Sequence, residues 1–571
     1  MSTAENQQLR EETHRRLGRY STLRGKKVQP GEFWNLVVIT ASDEVQERAY
    51  HHQLKDKIKK KELPLGVQYH VISDPPGPKI GNGGSTLYVL QRLQQMYPKE
   101  LDGFTVLLIH SGGFSQRLPN VSATGKIFAA LPIGNPNYQM IDLKLAMYID
   151  FPKNMKPGVL VTCSDDLELY YSGGLEVKFD SPGIIALAHP STLSIGTTHG
   201  VFVLEDSDGP TRELEYRLCK TYLHKPSVQT MHKMGAVNVP ELGEESGQEV
   251  VYTDSLFYMD LSTVNMLLSF LQDLGSLACE IDAYGDFLQA LGSDATSEYT
   301  TNLANVSKAE SQLPDVRKKI YFLLRGTDFT VVLLNNSKFY HIGTMREYLY
   351  HFTSDLDLKQ ELGLEDEVFS LIPGGKLNNG SCVIHSVLDA KTNVAPFSVI
   401  EYCRLGPEVS IGQQCIISNT TIQIRADIPD RCFVSSIIIR ADNQVMYATI
   451  VFGIDDDMKK TVNSLSDVNS IQLLGQNLLE CLELWEIPVS EELFSGDPNS
   501  LWTLRIFPVC STFQESVRWS LDMAYSVNSH DPVCLSHVKR LSIEEILRCK
   551  DVEEMLQFRQ VLYREIVAQR G

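Results

Sequence analysis

This sequence lacks several features at once. Its 11 cysteines include no C-x-x-C pair, and several, such as Cys163, Cys279 and Cys415, sit inside apolar runs. That removes the usual spacing signal for a dithiol or zinc centre and favours reduced core thiols. No apolar run approaches the roughly 18 residues of a membrane span. The opening MSTAENQQLREETHRRLGRY is polar and helical, without an apolar leader, and carries Ser2 where a myristoylated chain needs glycine. A cytoplasmic protein without membrane attachment is expected. Positive charge is also short: 52 Lys and Arg against 71 Asp and Glu leave a formal net charge of −19. Such a surface does not suit nucleic acid or acidic lipid, so any cationic site is local. His189, His199, His224 and His341 show no metal-ligand spacing, and none is assigned to a metal.

The chain does have room and apolar material. Its 571 residues, 43% hydrophobic and 22% charged, suit a soluble protein of two to four domains. After an N-terminal helical segment (1–32), short apolar runs alternate with helical segments: LVVIT, VQYHVI, FTVLLIH, PGVLVTCSDD, IIALAHP. This predicts an α/β domain over 33–355 with a mostly parallel, doubly wound, Rossmann-like sheet. Its ligands would lie at the carboxyl ends of the strands. The acidic stretch Glu241–Glu249 reads as a surface loop. Over 375–455 the periodicity changes: Val399, Leu405, Ile411 and Ile417 recur every sixth residue, with Gly406-Pro407 and Gly412 between them. That spacing predicts a left-handed parallel β-helix of three or four coils, its register weakening after Thr421; an irregular sandwich of short strands is the alternative. Residues 456–571 read as mainly helical, with capping boxes in SIEE and DVEE, and as a packing domain or homo-oligomer contact.

The residues suited to chemistry cluster after strands. In LLIHSGGFSQRLPNVSATGKIFAALP, Gly112 and Gly113 let backbone N–H groups approach an anion, with Ser115 beside them. Arg117 and Lys126 add charge able to neutralise a triphosphate and a departing pyrophosphate. A tight turn with two solvated cations is the plainer reading of the glycine pair alone. A second loop, DPPGPKIGNGGST, offers Gly81, Gly83, Gly84, Ser85 and Thr86 to a nucleotide, without the G-K-[ST] ending of a Walker loop. It also reads as a purely structural loop. Asp165 and Asp166 end the run VLVTCSDD, where a carboxylate can hold Mg²⁺ or merely cap a following helix. Lys225, before a proline, has no signal of its own.

Taken in order, SGGFSQRLP…GK, SDD, HKP, TDS and HIGT resemble the motifs of the sugar-1-phosphate nucleotidyltransferases, over about residues 105–350. The resemblance implies that Arg117 and Lys126 meet the nucleotide phosphates, that Asp165 (with Asp166 as fallback) binds the metal, and that Lys225 holds the sugar phosphate. Asp254, in the TDS segment, and Asp282 are expected beside Lys225 at the sugar phosphate. Where the family places a second metal aspartate this chain has His341, so a single-aspartate site or a replacement such as Asp282 comes into consideration. A narrower likeness, carried by DPPGPKIGNGGSTL, LAHPSTLSIGTTHGVFVL and EIDAYGDFLQALG, is to the branch of that family that makes GDP-L-fucose. It implies GTP and β-L-fucose 1-phosphate as substrates and Mg²⁺ as cofactor. A pyrophosphorylase for another sugar 1-phosphate and a catalytically silent regulatory subunit are the rivals.

Overall fold

The computed structural model describes residues 3–206, 211–239, 249–373, 377, 379–441 and 443–570. Of the acidic stretch Glu241–Glu249, all but Glu249 lies outside the described residues. The chain divides into two units, 1–113 with 142–341, and 114–141 with 342–571.

In the first unit, three runs are apolar enough to be buried on both faces and become neighbouring parallel strands: β1 (Leu36–Ala41), β3 (Thr105–His110) and β4 (Gly158–Cys163). β2 (Gln68–Ser73), more exposed, takes the edge beside β1. The rest of the sheet departs from the expected parallel pattern. β6 (Ile184–Thr192), β7 (Gly200–Leu204), β8 (Leu214–His224), β9 (Val250–Asp260) and β10 (Phe329–Leu334) extend it in the order β4-β9-β6-β10-β8-β7. Here β9 runs antiparallel to both β4 and β6, and β8 antiparallel to β10 and β7. β6 leads to β7 through only the short helix Leu193–Gly196, and β7 is followed by β8 after residues 205–213, too few for a crossover helix, so β7 and β8 pair antiparallel. The sheet is therefore mixed. Its core is completed by the helices Gly81–Met96, Leu261–Leu274 and Leu313–Leu324, which bury Leu90, Leu267 and Ile320 against it. A separate two-stranded ribbon joins β5 (Asp166–Tyr171) to β11 (Asn336–His341), antiparallel.

In the second unit, short parallel strands stack in three columns. Val399–Glu401 lies on Ile416–Ser418, Arg404–Leu405 on Thr421–Ile422, and Val409–Ile411 on Ala426–Ile428. The partners Val399 and Ile416, Leu405 and Ile422, and Ile411 and Ile428 are each 17 residues apart and all buried. Three hexapeptides would give 18. The residue continuing the series after Ile411 in the first column is thus Ile416, one place before Ile417. That one-residue phase shift hides the repeat after Thr421, although Ile422, Ile428 and Phe433 carry it on. One corner of each level takes a left-handed backbone, at Phe369, His385, Tyr402 and Asn419 (φ 46°, 46°, 51° and 49°). The Phe369 and His385 rings lie 4.9 Å apart, and His385 and Tyr402 5.2 Å apart. The terminal helix Val552–Arg570 docks on this ladder: the Arg559 guanidinium sits 3.7 Å over Tyr402 and donates to Asn419 Oδ1 at 2.9 and 2.7 Å. The region after 456 is mixed, with strands such as Phe507–Cys510 between its helices. Ser542 and Glu545 form the capping box read from SIEE, and Asp551 accepts from the Glu554 amide in DVEE.

Candidate functional site

The glycine loop is held at its entry by side chains rather than by strand pairing. The Ser111 amide donates to Thr40 Oγ1 (3.0 Å), Tyr50 donates to the Ser111 carbonyl (2.8 Å), and Gln46 Nε2 donates to the Gly113 carbonyl (2.8 Å). Gly113 has φ +108°, and a Cβ there would meet nothing within 4 Å. Glycine is required for the turn, not for a close approach within the protein. The chain passes to the second unit between Gly113 and Phe114.

In that unit the loop continues through Ser115 (φ 51°), whose carbonyl accepts from the Leu118 amide at 2.9 Å. Arg117 is exposed, and its backbone carbonyl accepts from the Met345 amide at 2.9 Å. Lys126 is half-buried at the start of the single 3₁₀ turn Lys126–Phe128, behind Gly125 at φ +88°. Two neighbours come from the region to which the sequence assigned no chemistry. The ring of Trp502 lies 6.4 Å from that of Phe114. Lys459 stands close enough to Arg117 and Lys126 that burial, and then their charges, hold its ammonium below the ordinary lysine range. The turn carrying it is fixed. Asp455 pairs with Arg346 (2.7 Å) and Arg431 (2.5 Å), and Asp456 Oδ2 accepts from the Gly453 and Leu474 amides (2.7 and 3.0 Å). Nothing in DDDMKK distinguishes Lys459 from a solvated charge.

The second glycine segment in the first unit is the opening turn of the helix Gly81–Met96 rather than a loop. Here glycine does serve close approach, but between two pieces of protein. A Cβ on Gly81 (φ +71°) would fall 2.4 Å from the Ile281 carbonyl oxygen, and one on Gly83 would fall 2.9 Å from the Ala283 nitrogen. The Gly83 amide donates to the Ile281 carbonyl at 2.8 Å. Gly84 packs on the Ile80 side chain, and Ser85 donates to Asp74, whose carboxyl burial raises to about 6. Gly81 and Gly83 thus abut Ile281 and Ala283 on either side of Asp282, whose Oδ1 accepts from the Tyr284 and Gly285 amides (2.8 and 2.7 Å). Burial lowers His110 to about 4, with the Asp282 charge opposing, and Thr86 Oγ1 lies 2.9 Å from His110 Nε2. Lys225 is exposed at φ 48°, its amide on the His199 carbonyl (3.0 Å). Asp254 commits both oxygens to the protein: Oδ1 to the Gly200 amide (2.8 Å), Oδ2 to the Tyr222 hydroxyl (2.6 Å).

Asp165 and Asp166 lead into β5, not a helix, so capping does not explain them. β5 pairs with β11 so that Asp166 stands opposite His341. His341 Nε2 is 3.3 Å from Asp165 Oδ2, and one ligand atom from each of Asp165, Asp166 and His341 falls within a 4.8 Å spread. Burial, then the neighbouring Asp165, push the Asp166 carboxyl up to about 7. Beneath the pair lies a buried network in which Lys144 meets Glu168 at 3.2 Å and Tyr148 donates to Glu168 at 2.5 Å. Two carboxylates and an imidazole are a donor set that fits a divalent cation. Sequence spacing could not bring His341 to this group, because 176 residues separate it from Asp165. His189 is no ligand; it is buried between Ser337 (2.8 Å) and Ser255 (2.9 Å).

Comparison with known proteins places the chain in a family. The Fucose pyrophosphorylase domain family matches residues 98–512. The Fucose-1-phosphate guanylyltransferase of Homo sapiens is 55% identical over 98% of this chain and 95% of its own length. That of Mus musculus is 54% identical over 98% of both. The Bifunctional fucokinase/GDP-fucose pyrophosphorylase of Arabidopsis thaliana is 22% identical over 90% of this chain and 50% of its own length.

Proposed function

Since the chain belongs to the fucose pyrophosphorylase family, we propose that it is a fucose-1-phosphate guanylyltransferase, making GDP-L-fucose and pyrophosphate from GTP and β-L-fucose 1-phosphate in fucose salvage. The observation that carries this is the 55% identity spanning 98% of the chain, well beyond any one motif. The reaction is an in-line displacement. A phosphate oxygen of the sugar phosphate attacks the α-phosphorus of GTP, and the α–β bridging bond breaks with its electrons leaving on pyrophosphate. No covalent enzyme intermediate is required. Arg117 and Lys126 neutralise the nucleotide phosphates and the charge that grows on the leaving group. Gly112, Gly113 and Ser115 present backbone amides to the same phosphates. Lys225 orients the sugar phosphate. Gly81, Gly83, Gly84 and Ser85 lie beside the nucleotide, and Asp254 and Asp282 join Lys225 at the sugar phosphate.

Asp165 and Asp166 would hold the divalent cation, Mg²⁺ in the family pattern. When bound it supplies charge stabilisation to the phosphates. The resemblance further supports a doubly wound catalytic domain, a left-handed sense for the stacked columns, a cytoplasmic setting and homo-oligomer contacts through the columns or the terminal helices. The silent-subunit alternative drew on His341 replacing a metal aspartate; its position beside Asp165 removes that support. Pyrophosphate release from each nucleoside triphosphate with a panel of sugar 1-phosphates tests the proposal. GTP with fucose 1-phosphate should give the highest kcat/KM. No release with any pair, or preference for another pair, overturns it.

A further inference from the structure

The Asp165–Asp166 pair has a neighbour that a carboxylate site does not need. β11 runs antiparallel to β5 with His341 in register opposite Asp166, so regular backbone pairing holds the imidazole there. Its Nε2 lies 3.3 Å from Asp165 Oδ2. The three ligand atoms fall within 4.8 Å of one another. One ion bound at roughly 2.0–2.2 Å to each ligand spans nearly that spread, so small side-chain adjustments bring all three onto it. An imidazole in place of a carboxylate changes two properties of the site. It makes the site one negative charge poorer, and it exchanges a hard oxygen for a nitrogen donor. Mg²⁺ loses more by that exchange than a first-row transition ion does.

We infer that His341 is the third protein ligand of the cation site and biases it from Mg²⁺ toward a transition ion such as Mn²⁺. This rests on the reading of Asp165 and Asp166 as metal ligands. The test uses the full chain loaded with Mn²⁺ and GTP. Pulsed electron paramagnetic resonance reports whether a nitrogen is bound directly to Mn²⁺. A nitrogen coupling is expected, and ¹⁵N-histidine labelling should convert it to the ¹⁵N form, which separates imidazole from guanine nitrogen. His341→Asp should abolish the coupling and lower the ratio of Mn²⁺ to Mg²⁺ affinity by about tenfold or more. His341→Gln, nearer in size and uncharged, should also lose the coupling and serves if the aspartate variant does not fold. Absence of a histidine coupling in the parent chain overturns the inference. So does an unchanged affinity ratio in both variants. If Asp165→Asn and Asp166→Asn weaken Mn²⁺ binding while the His341 variants do not, only the role of His341 falls. If none of the four changes it, the aspartate reading falls as well.

Discussion

Lys126 and Lys459 are both cations of the second unit, but only one was visible in the sequence. Lys126 follows Gly125 in an ordered run of motifs, so its place could be read by resemblance. Lys459 lies in an acidic-basic string, and its meaning comes only from the fixed turn that brings it near Arg117 and Lys126. Lys126→Ala should lower kcat by about 100-fold or more, the scale of removing a charge that acts on the leaving group. Pyrophosphate release measures this, and an unchanged far-ultraviolet circular dichroism spectrum shows that folding is intact. Retention of kcat within threefold would remove Lys126 from the mechanism. Lys459→Ala exposes no core and should raise the KM for GTP by about tenfold, as loss of one charge-assisted phosphate contact does. The KM for fucose 1-phosphate should hold, and equal changes in both would place Lys459 elsewhere. His341 marks the limit of spacing arguments: its partners are neighbours only through the pairing of β5 with β11.

Among elements, the legible ones were those whose pattern depends on burial alone. LVVIT, FTVLLIH and GVLVT read as interior strands because both of their faces are covered. Strand direction in the other half of the sheet was not legible, since β6, β7 and β9 are nearly as buried as the parallel strands and only β8 alternates. Nor was the start of the helix at Gly81, because three glycines and a serine in IGNGGS argue for a loop by propensity. Tertiary packing on Ile281 overrides that preference. Gly81→Ala should therefore cost stability well beyond a solvent-exposed substitution, about 2 kcal/mol or more, combining a left-handed backbone with a backbone collision. Urea unfolding followed by circular dichroism checks this. A loss under 0.5 kcal/mol, on the scale of an ordinary surface change, would show that the turn relaxes.

At the scale of the whole molecule, the last helix is part of the second unit's architecture rather than an appendage. Arg559, almost fully buried, stacks on Tyr402 and bonds Asn419, so it ties the terminal helix to two successive levels of the columns. Arg559→Ala leaves Asn419 Oδ1 without that partner and should destabilise the unit by about 2–4 kcal/mol. Denaturant unfolding would register the shift, while kcat per folded molecule should stay near the parent value; an unchanged midpoint would refute the tie. The path of the chain has a further consequence, for inheritance. Because the units alternate along the sequence, with boundaries at 113/114, 141/142 and 341/342, no single truncation isolates either one. A relative could acquire a foreign version of either unit only by three coordinated recombination events. Exchange of one unit by simple shuffling is closed to such a chain, and change within the units has to accumulate residue by residue.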